Sequence, residues 1–338
     1  MRIVVNGWFL NQLTTGSGQY LTALMDWLPR AEQHEFILVT PARASRSPGH
    51  ASRFTSHVLP GWQVVSAATP FDRLNRDLAK LWFEQIAFPA ACRRLRAGAA
   101  LVPYWGAPWW RACPTVVTVH DLIPLLLPLY RGGFLQRAYT GLVARTARRA
   151  QAVLTDSEAS RRDVISHLHI PQKRVRAVHL ATAEHFAVVD DPGLLARVRA
   201  KYDLPAEPFF LYLGGFDARK NVVRMIQAFA MVTEDERPST MASGVAPSQP
   251  DARQPMLQLV VAGKLPEHDS AFAPDPRIVV ERLGIGDRVR FTGWVDESDK
   301  PALCSLARGA LYLSEYEGFG LPVLEAMASG CPVVAGGG

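Results

Sequence analysis

The hydrophobic positions fall into two alternating patterns. Short apolar runs at residues 3–5, 36–40, 63–65, 99–102, 115–119, 152–155 and 175–180 predict buried strands, as do runs at 209–213, 257–262, 289–295, 309–313 and 332–335. Between them lie stretches with helical spacing. Leu21, Leu24, Met25 and Leu28 recur at that spacing before Pro29 stops the helix. Residues 74–88 carry Leu78, Leu81, Trp82 and Gln85, and residues 134–149 turn Leu135, Tyr139, Leu142 and Val143 inward. Further helices are predicted over 158–168, with Ser157 as N-cap, and over 222–232, 299–308 and 322–329. Strand and helix alternate through both halves, which predicts an α/β fold of doubly wound parallel sheets.

A length of 338 residues suggests two domains with ample core, and 48% hydrophobic against 20% charged residues fits globular folding. The divisions expected are a first domain over 1–183, a connector with a short helix over 184–207, and a second domain over 208–338. Residues 41–56 read as a polar, mobile loop, and 233–255, rich in Ser, Pro, Asp, Glu and Gly, as a disordered insertion. The net charge of +6 favours anionic partners. Cys92, Cys113, Cys304 and Cys331 are scattered with no C-x-x-C pair, so reduced thiols in the cytoplasm are expected. The first apolar run is too short for a signal peptide. The longest apolar run, at 122–129, is broken by Pro124, so no membrane span is predicted.

Candidate chemistry concentrates where strands run into glycines and then helices. The most informative stretch is Glu317-Gly-Phe-Gly-Leu-Pro-Val-Leu-Glu325. Leu321 reads as an N-cap without a side-chain oxygen, so the first amides of the helix lack a side-chain partner. With the small Gly318 and Gly320 beside them, those amides suit a phosphate. Glu317 and Glu325 bracket the loop, and carboxylates beside a phosphate make sense as acceptors for sugar hydroxyls. A second strand ends in Gly214-Gly-Phe-Asp-Ala-Arg-Lys-Asn221, where Arg219 and Lys220 can neutralise a diphosphate. A third leads into Thr14-Thr-Gly-Ser-Gly18, and the run at 115–119 ends in His120-Asp121 at a strand's carboxyl end, where such sheets bind ligands. Asp121 either orients His120 or caps the next turn. Arg93, Arg94 and Arg96, with Arg137, Arg145, Arg148 and Arg149, form basic faces beside the apolar stretch 122–130. They read as solvated helix surface or as docking on an anionic membrane. No aromatic-basic interleaving points to nucleic acid.

The phrase from Glu317 to Pro332 resembles the signature of glycosyltransferase family 4. The resemblance implies the GT-B fold, with two Rossmann-like domains facing across a cleft. It implies a retaining, metal-independent hexosyltransferase with no cofactor beyond its nucleoside diphosphate sugar. A mannose- or glucose-type hexose would pass to a glycan or lipid-linked acceptor, by displacement on one face of the sugar. Site roles carry over by position. His120, Lys220 and Glu317 would be catalytic. Gly16, Gly18, Arg219, Gly318, Phe319, Gly320, Leu321 and Glu325 would join Lys220 and Glu317 in donor binding, and Trp294 and Val295 would lie near the base. Gly215 stands where the family often has an arginine. The chain stops at Gly338 where family members continue, so a C-terminally truncated second domain with exposed apolar surface, reduced stability and impaired activity is expected. A cytoplasmic enzyme, peripheral on the inner membrane face, fits this picture. Open alternatives are another GT-B enzyme, such as an epimerase or phosphorylase, and a non-catalytic binding protein.

Overall fold

The computed structural model of the protein describes residues 1–10, 12, 15–42, 61–234 and 256–336. The residues expected as a mobile loop and a disordered insertion lie largely outside this set. Two compact units emerge, Met1–His179 and Leu180–Gly338.

The first unit is built on a parallel sheet of β1 (Arg2–Asn6), β2 (Glu35–Pro41), β3 (Trp62–Ala67), β4 (Ala99–Val102), β5 (Thr115–Thr118), β6 (Ala152–Thr155) and β7 (Val175–Ala177). Their order is β3-β2-β1-β4-β5-β6-β7. Helices α1 (Gly16–Trp27), α2 (Arg76–Trp82), α3 (Phe88–Arg94), α4 (Ile123–Leu126), α5 (Phe134–Arg149) and α6 (Glu158–Leu168) connect them. Alternation along the central strands sends successive residues to opposite faces. Val5, Phe36 and Leu38 pack with Leu21 and Met25 on one side. Val4, Ile37 and Val39 pack with Phe83, Phe88 and Val117 on the other.

The second unit repeats the plan. Helix α7 (Pro192–Lys201) precedes β8 (Phe209–Leu213), α8 (Val222–Glu234), β9 (Gln258–Ala262), α9 (Pro276–Leu283), β10 (Val289–Gly293), α10 (Lys300–Leu306), β11 (Gly309–Tyr312), α11 (Leu321–Ala328) and β12 (Val333–Ala335). The strand order is β10-β9-β8-β11-β12, all parallel. The segment expected as a connector carries α7, which is tied to this unit. Lys201 Nζ donates to Asp299 at 2.5 Å and the Tyr202 hydroxyl donates to the same carboxylate at 2.8 Å.

Three of the differences from the predicted bounds have a local physical cause. The single helix expected over 74–88 is α2 and α3 joined by a wide π turn, Phe83–Ala87. Pro89 has no N–H to close an ordinary turn, and its ring would crowd the Gln85 carbonyl; the wider turn accommodates it. Helix α1 starts at Gly16, earlier than the apolar spacing suggests, because the Thr15 hydroxyl accepts from Gly18 N at 3.2 Å and caps it. Helix α11 is preceded by Gly320 and not by Leu321 as N-cap; Gly320 takes φ +95°, a conformation open to glycine.

Candidate functional site

In open parallel sheets, ligands sit outside the carboxyl ends of strands, where the strand order reverses. In the second unit this point lies between β8 and β11, and both sequence-predicted glycine phrases follow those two strands. The loops are stitched together by Glu315 N donating to the Arg219 carbonyl at 2.8 Å. Asn221, at φ +59°, ends the short turn that presents Arg219 and Lys220 before α8 begins.

Glu317 is the hub of this edge. Its Oε2 accepts from Arg219 Nη1 at 2.7 Å and its Oε1 from Lys220 Nζ. Arg219 also donates to the Tyr316 carbonyl at 3.1 Å and pairs through Nε with Asp217 at 3.0 Å. Burial alone would raise the Glu317 pKa, but the charges of Lys220 and Arg219 outweigh it and hold the carboxyl below its usual range. Two cations and two carboxylates therefore balance. Lys offers three donors, and Glu317 takes one of those on Lys220.

Beside this cluster, Gly320 caps α11 with no side-chain hydrogen bond, and the first turn holds no acid. The correction from Leu321 to Gly320 keeps the expected consequence, a helix start without a side-chain cap. Gly318, Phe319 and Leu321 belong to the same loop and helix start. Glu325 lies one turn into α11 and outside the Arg219–Lys220–Glu317 contacts. Burial raises its pKa, with Lys300 and Glu297 as its charged neighbours. Trp294 follows β10 and is exposed, whereas Val295 is buried. Gly215 leaves the arginine position vacant, and the Tyr212 hydroxyl donates to its carbonyl.

The first unit holds the remaining predicted residues. Its strand order reverses between β1 and β4. Gly16 and Gly18 open α1 just beyond β1, and a Cβ on Gly18 would collide with the Gln12 carbonyl. His120 leaves the end of β5. Its Nδ1 lies 2.7 Å from Asp156 Oδ2 and its Nε2 3.3 Å from the Pro103 carbonyl. The Tyr20 ring stands edge-to-face with it at 4.9 Å. The choice left open for Asp121 resolves toward a cap: its Oδ1 accepts from Ile123 N at 2.9 Å. The carboxylate that holds His120 is Asp156, which sequence reasoning missed. Asp156 precedes the N-cap Ser157 and reads there as an ordinary loop acid.

The same edge hides a second missed group. Glu84, in the π turn, is fully buried and accepts from the Tyr139 hydroxyl at 2.9 Å, with Lys80 Nζ 3.5 Å away. The basic face of α5 is partly spent on structure: Arg148 Nε donates to the Leu168 carbonyl at 2.7 Å, and Arg149 stacks on Trp109. Among the described residues, no group of three His, Cys, Asp or Glu could hold a metal ion, and no helix is long and apolar enough to cross a membrane.

Comparison with known proteins matches this arrangement. Residues 14–182 match the model of Glycosyltransferase Family 4, and residues 197–337 that of Glycosyl transferases group 1. O-antigen chain mannosyltransferase B of Escherichia coli is 30% identical over 219 residues, covering 65% of this chain and 52% of that protein. The serotype-specific mannosyltransferase WbdA of Escherichia coli is 32% identical over 232 residues, covering 68% and 25% respectively. The chain thus spans about half the length of the first relative and a quarter of the second. Sucrose-phosphate synthase from Thermosynechococcus elongatus superposes with a TM-score of 0.68 at 21% identity, over 99% of this chain and 81% of that one.

Proposed function

The chain belongs to glycosyltransferase family 4, with a group 1 glycosyltransferase domain following, and on that premise we propose that it transfers a hexose from a nucleoside diphosphate sugar to a saccharide acceptor. The observation that carries this reading is the Arg219–Lys220–Glu317 cluster at the β8/β11 switch point, beside a helix start that no side chain caps.

In this reading Lys220 and Arg219 take up the charge that builds on the departing diphosphate as the sugar–oxygen bond breaks, with the amide at the start of α11 adding a neutral donor. Glu317 keeps both cations in place and accepts hydrogen bonds from sugar hydroxyls. Glu325, half-buried one turn into α11, accepts from the ribose. His120 contacts the sugar and aligns the acceptor. Neither carboxylate is assigned as nucleophile: Glu317 is neutralised by two cations, which weakens it as an attacking group. Displacement on one face, with retention, is therefore the mechanism proposed, and no step is assigned to a metal. The two Escherichia coli relatives are named mannosyltransferases, which favours mannose as the hexose and a polysaccharide as product.

An anionic membrane surface is the proposed setting. Phe134 and Leu135, at the start of α5, are 82% and 81% exposed, so Leu135 does not turn inward as its helical spacing suggests, and Arg131 and Arg137 lie beside them. Leu74, Leu78, Trp82 and Ile86 add an exposed stripe at four-residue spacing.

Calorimetric titration with GDP-mannose and UDP-glucose tests the site. At least one should bind, and Lys220→Ala and Glu325→Ala should each weaken binding by roughly tenfold or more, the scale of a lost charged hydrogen bond. Unchanged affinity in both variants would overturn the reading.

A further inference from the structure

We propose that Asp156 is a positioning residue that keeps His120 doubly protonated, so that His120 serves transfer as a fixed positive charge and not as a proton acceptor. The inference rests on the placement of His120 in the reading above, and it concerns a question that reading leaves open.

The two ring nitrogens both face oxygen. Nδ1 faces a carboxylate oxygen at 2.7 Å and Nε2 faces a backbone carbonyl oxygen at 3.3 Å. Both neighbours are acceptors only. A neutral ring with its proton on Nδ1 would point the Nε2 lone pair at the Pro103 carbonyl. A neutral ring with its proton on Nε2 would point the Nδ1 lone pair at Asp156. Only the imidazolium donates to both.

The surroundings fix this choice. Asp156 is 4% exposed, and a carboxylate so buried is costly without an opposite charge. The Ser160 hydroxyl holds the main chain here by donating to the His120 carbonyl at 2.9 Å, and the Tyr20 ring packs against the imidazole. Ser160 is itself held where Ser157 caps α6. The other titratable groups facing the ring are Asp121, whose charge also favours the imidazolium, and the phenol of Tyr20. Burial alone would lower the His120 pKa, but the hydrogen bond and charge of Asp156 outweigh it and raise the value.

Nitrogen-15 NMR of the intact chain decides the matter without relying on turnover. In the wild type both His120 ring nitrogens should show imidazolium shifts at pH 7, and the ring should lose its proton only above the ordinary histidine range. In Asp156→Asn that loss should move down by about one unit or more, the size of a neighbouring-charge effect. Transfer activity should fall on the alkaline side as the ring deprotonates, and the fall should move to lower pH in Asp156→Asn. A neutral His120 in the wild type at pH 7, or activity that rises with pH through the ring's titration, overturns the proposal. Should Asp156→Asn not fold, the wild-type titration by itself separates a cationic ring from a neutral one. Failure of nucleotide-sugar binding would sink the assigned function yet leave this protonation result standing.

Discussion

At the scale of single residues, the most consequential side chain outside the proposed chemistry is Glu84. Burial pushes its pKa up from 4.5 to about 7, even though Lys80 and the Tyr139 and Tyr104 hydroxyls all favour the carboxylate. Between those two values the folded chain holds a proton that the unfolded chain has released. Stability therefore falls as pH rises from about 4.5 to 7, by roughly 3 kcal/mol in all, and levels off above that. Glu84→Gln keeps the shape and removes the titration. Its stability relative to wild type, read from urea unfolding, should improve by up to about 3 kcal/mol between pH 5 and pH 8. Parallel curves for the two proteins would show that Glu84 is not held as the structure has it. This residue was illegible in the sequence: it reads as a surface acid on an amphipathic helix, but the buried face runs through Ala79 and Phe83, not through Leu78 and Trp82, and Glu84 lies on it. Asp156 was hidden for a different reason, since its contact with His120 spans 36 positions and leaves no local pattern. Lys220 and Glu317 were legible because each stands in a glycine phrase after a strand, and glycine phrases advertise backbone geometry.

At the scale of elements, the parallel strands were readable because burial on both faces writes itself as an unbroken apolar run, as in β2, β8 and β9. Helix ends were less so, because caps set them and not apolar spacing. The start of α1 is the clearest case and supports a paired test. Gly18→Ala would drive a Cβ into the Gln12 carbonyl, whereas a Cβ on Gly16 meets nothing within 4 Å. We expect Gly18→Ala to destabilise the first unit by about 2 kcal/mol or more, and Gly16→Ala to be neutral or stabilising by about 0.5 kcal/mol. Equal effects in thermal unfolding would mean that the loop and α1 are not packed as described. The start of α5 has its own test. Replacing both Phe134 and Leu135 by Glu should abolish co-sedimentation with vesicles containing phosphatidylglycerol while leaving nucleotide binding intact. Retained sedimentation would remove this face from consideration as the docking surface.

At the scale of the whole molecule, the repeated strand–helix alternation announced two sheets, and two units are found, each with hydrophobic clusters of its own. The cluster of the second unit runs from Val198 to Cys331 and draws on α7 through α11. Those of the first unit lie on the two faces of its sheet. Sequence could not set the order of strands, because pairing β1 with β4 and β8 with β11 depends on contacts between distant segments. Separate cores predict two transitions in scanning calorimetry, and the Gly18→Ala variant identifies the first unit's by lowering it alone. A nucleoside diphosphate without its sugar then becomes a discriminating probe, since Arg219, Lys220, the start of α11 and Glu325, to which the phosphate and ribose contacts are assigned, lie in the second unit. At about 100 times its Kd, such a ligand adds roughly 2.7 kcal/mol to the unit that binds it. For a unit of this size that raises the midpoint by roughly 5–10 °C. GDP or UDP should therefore move the transition that Gly18→Ala leaves untouched, and the Lys220→Ala variant should lose most of that shift. If the nucleotide moves the first unit's transition instead, the diphosphate does not rest on Arg219 and Lys220, and their pairing with Glu317 is only a structural tie between neighbouring loops.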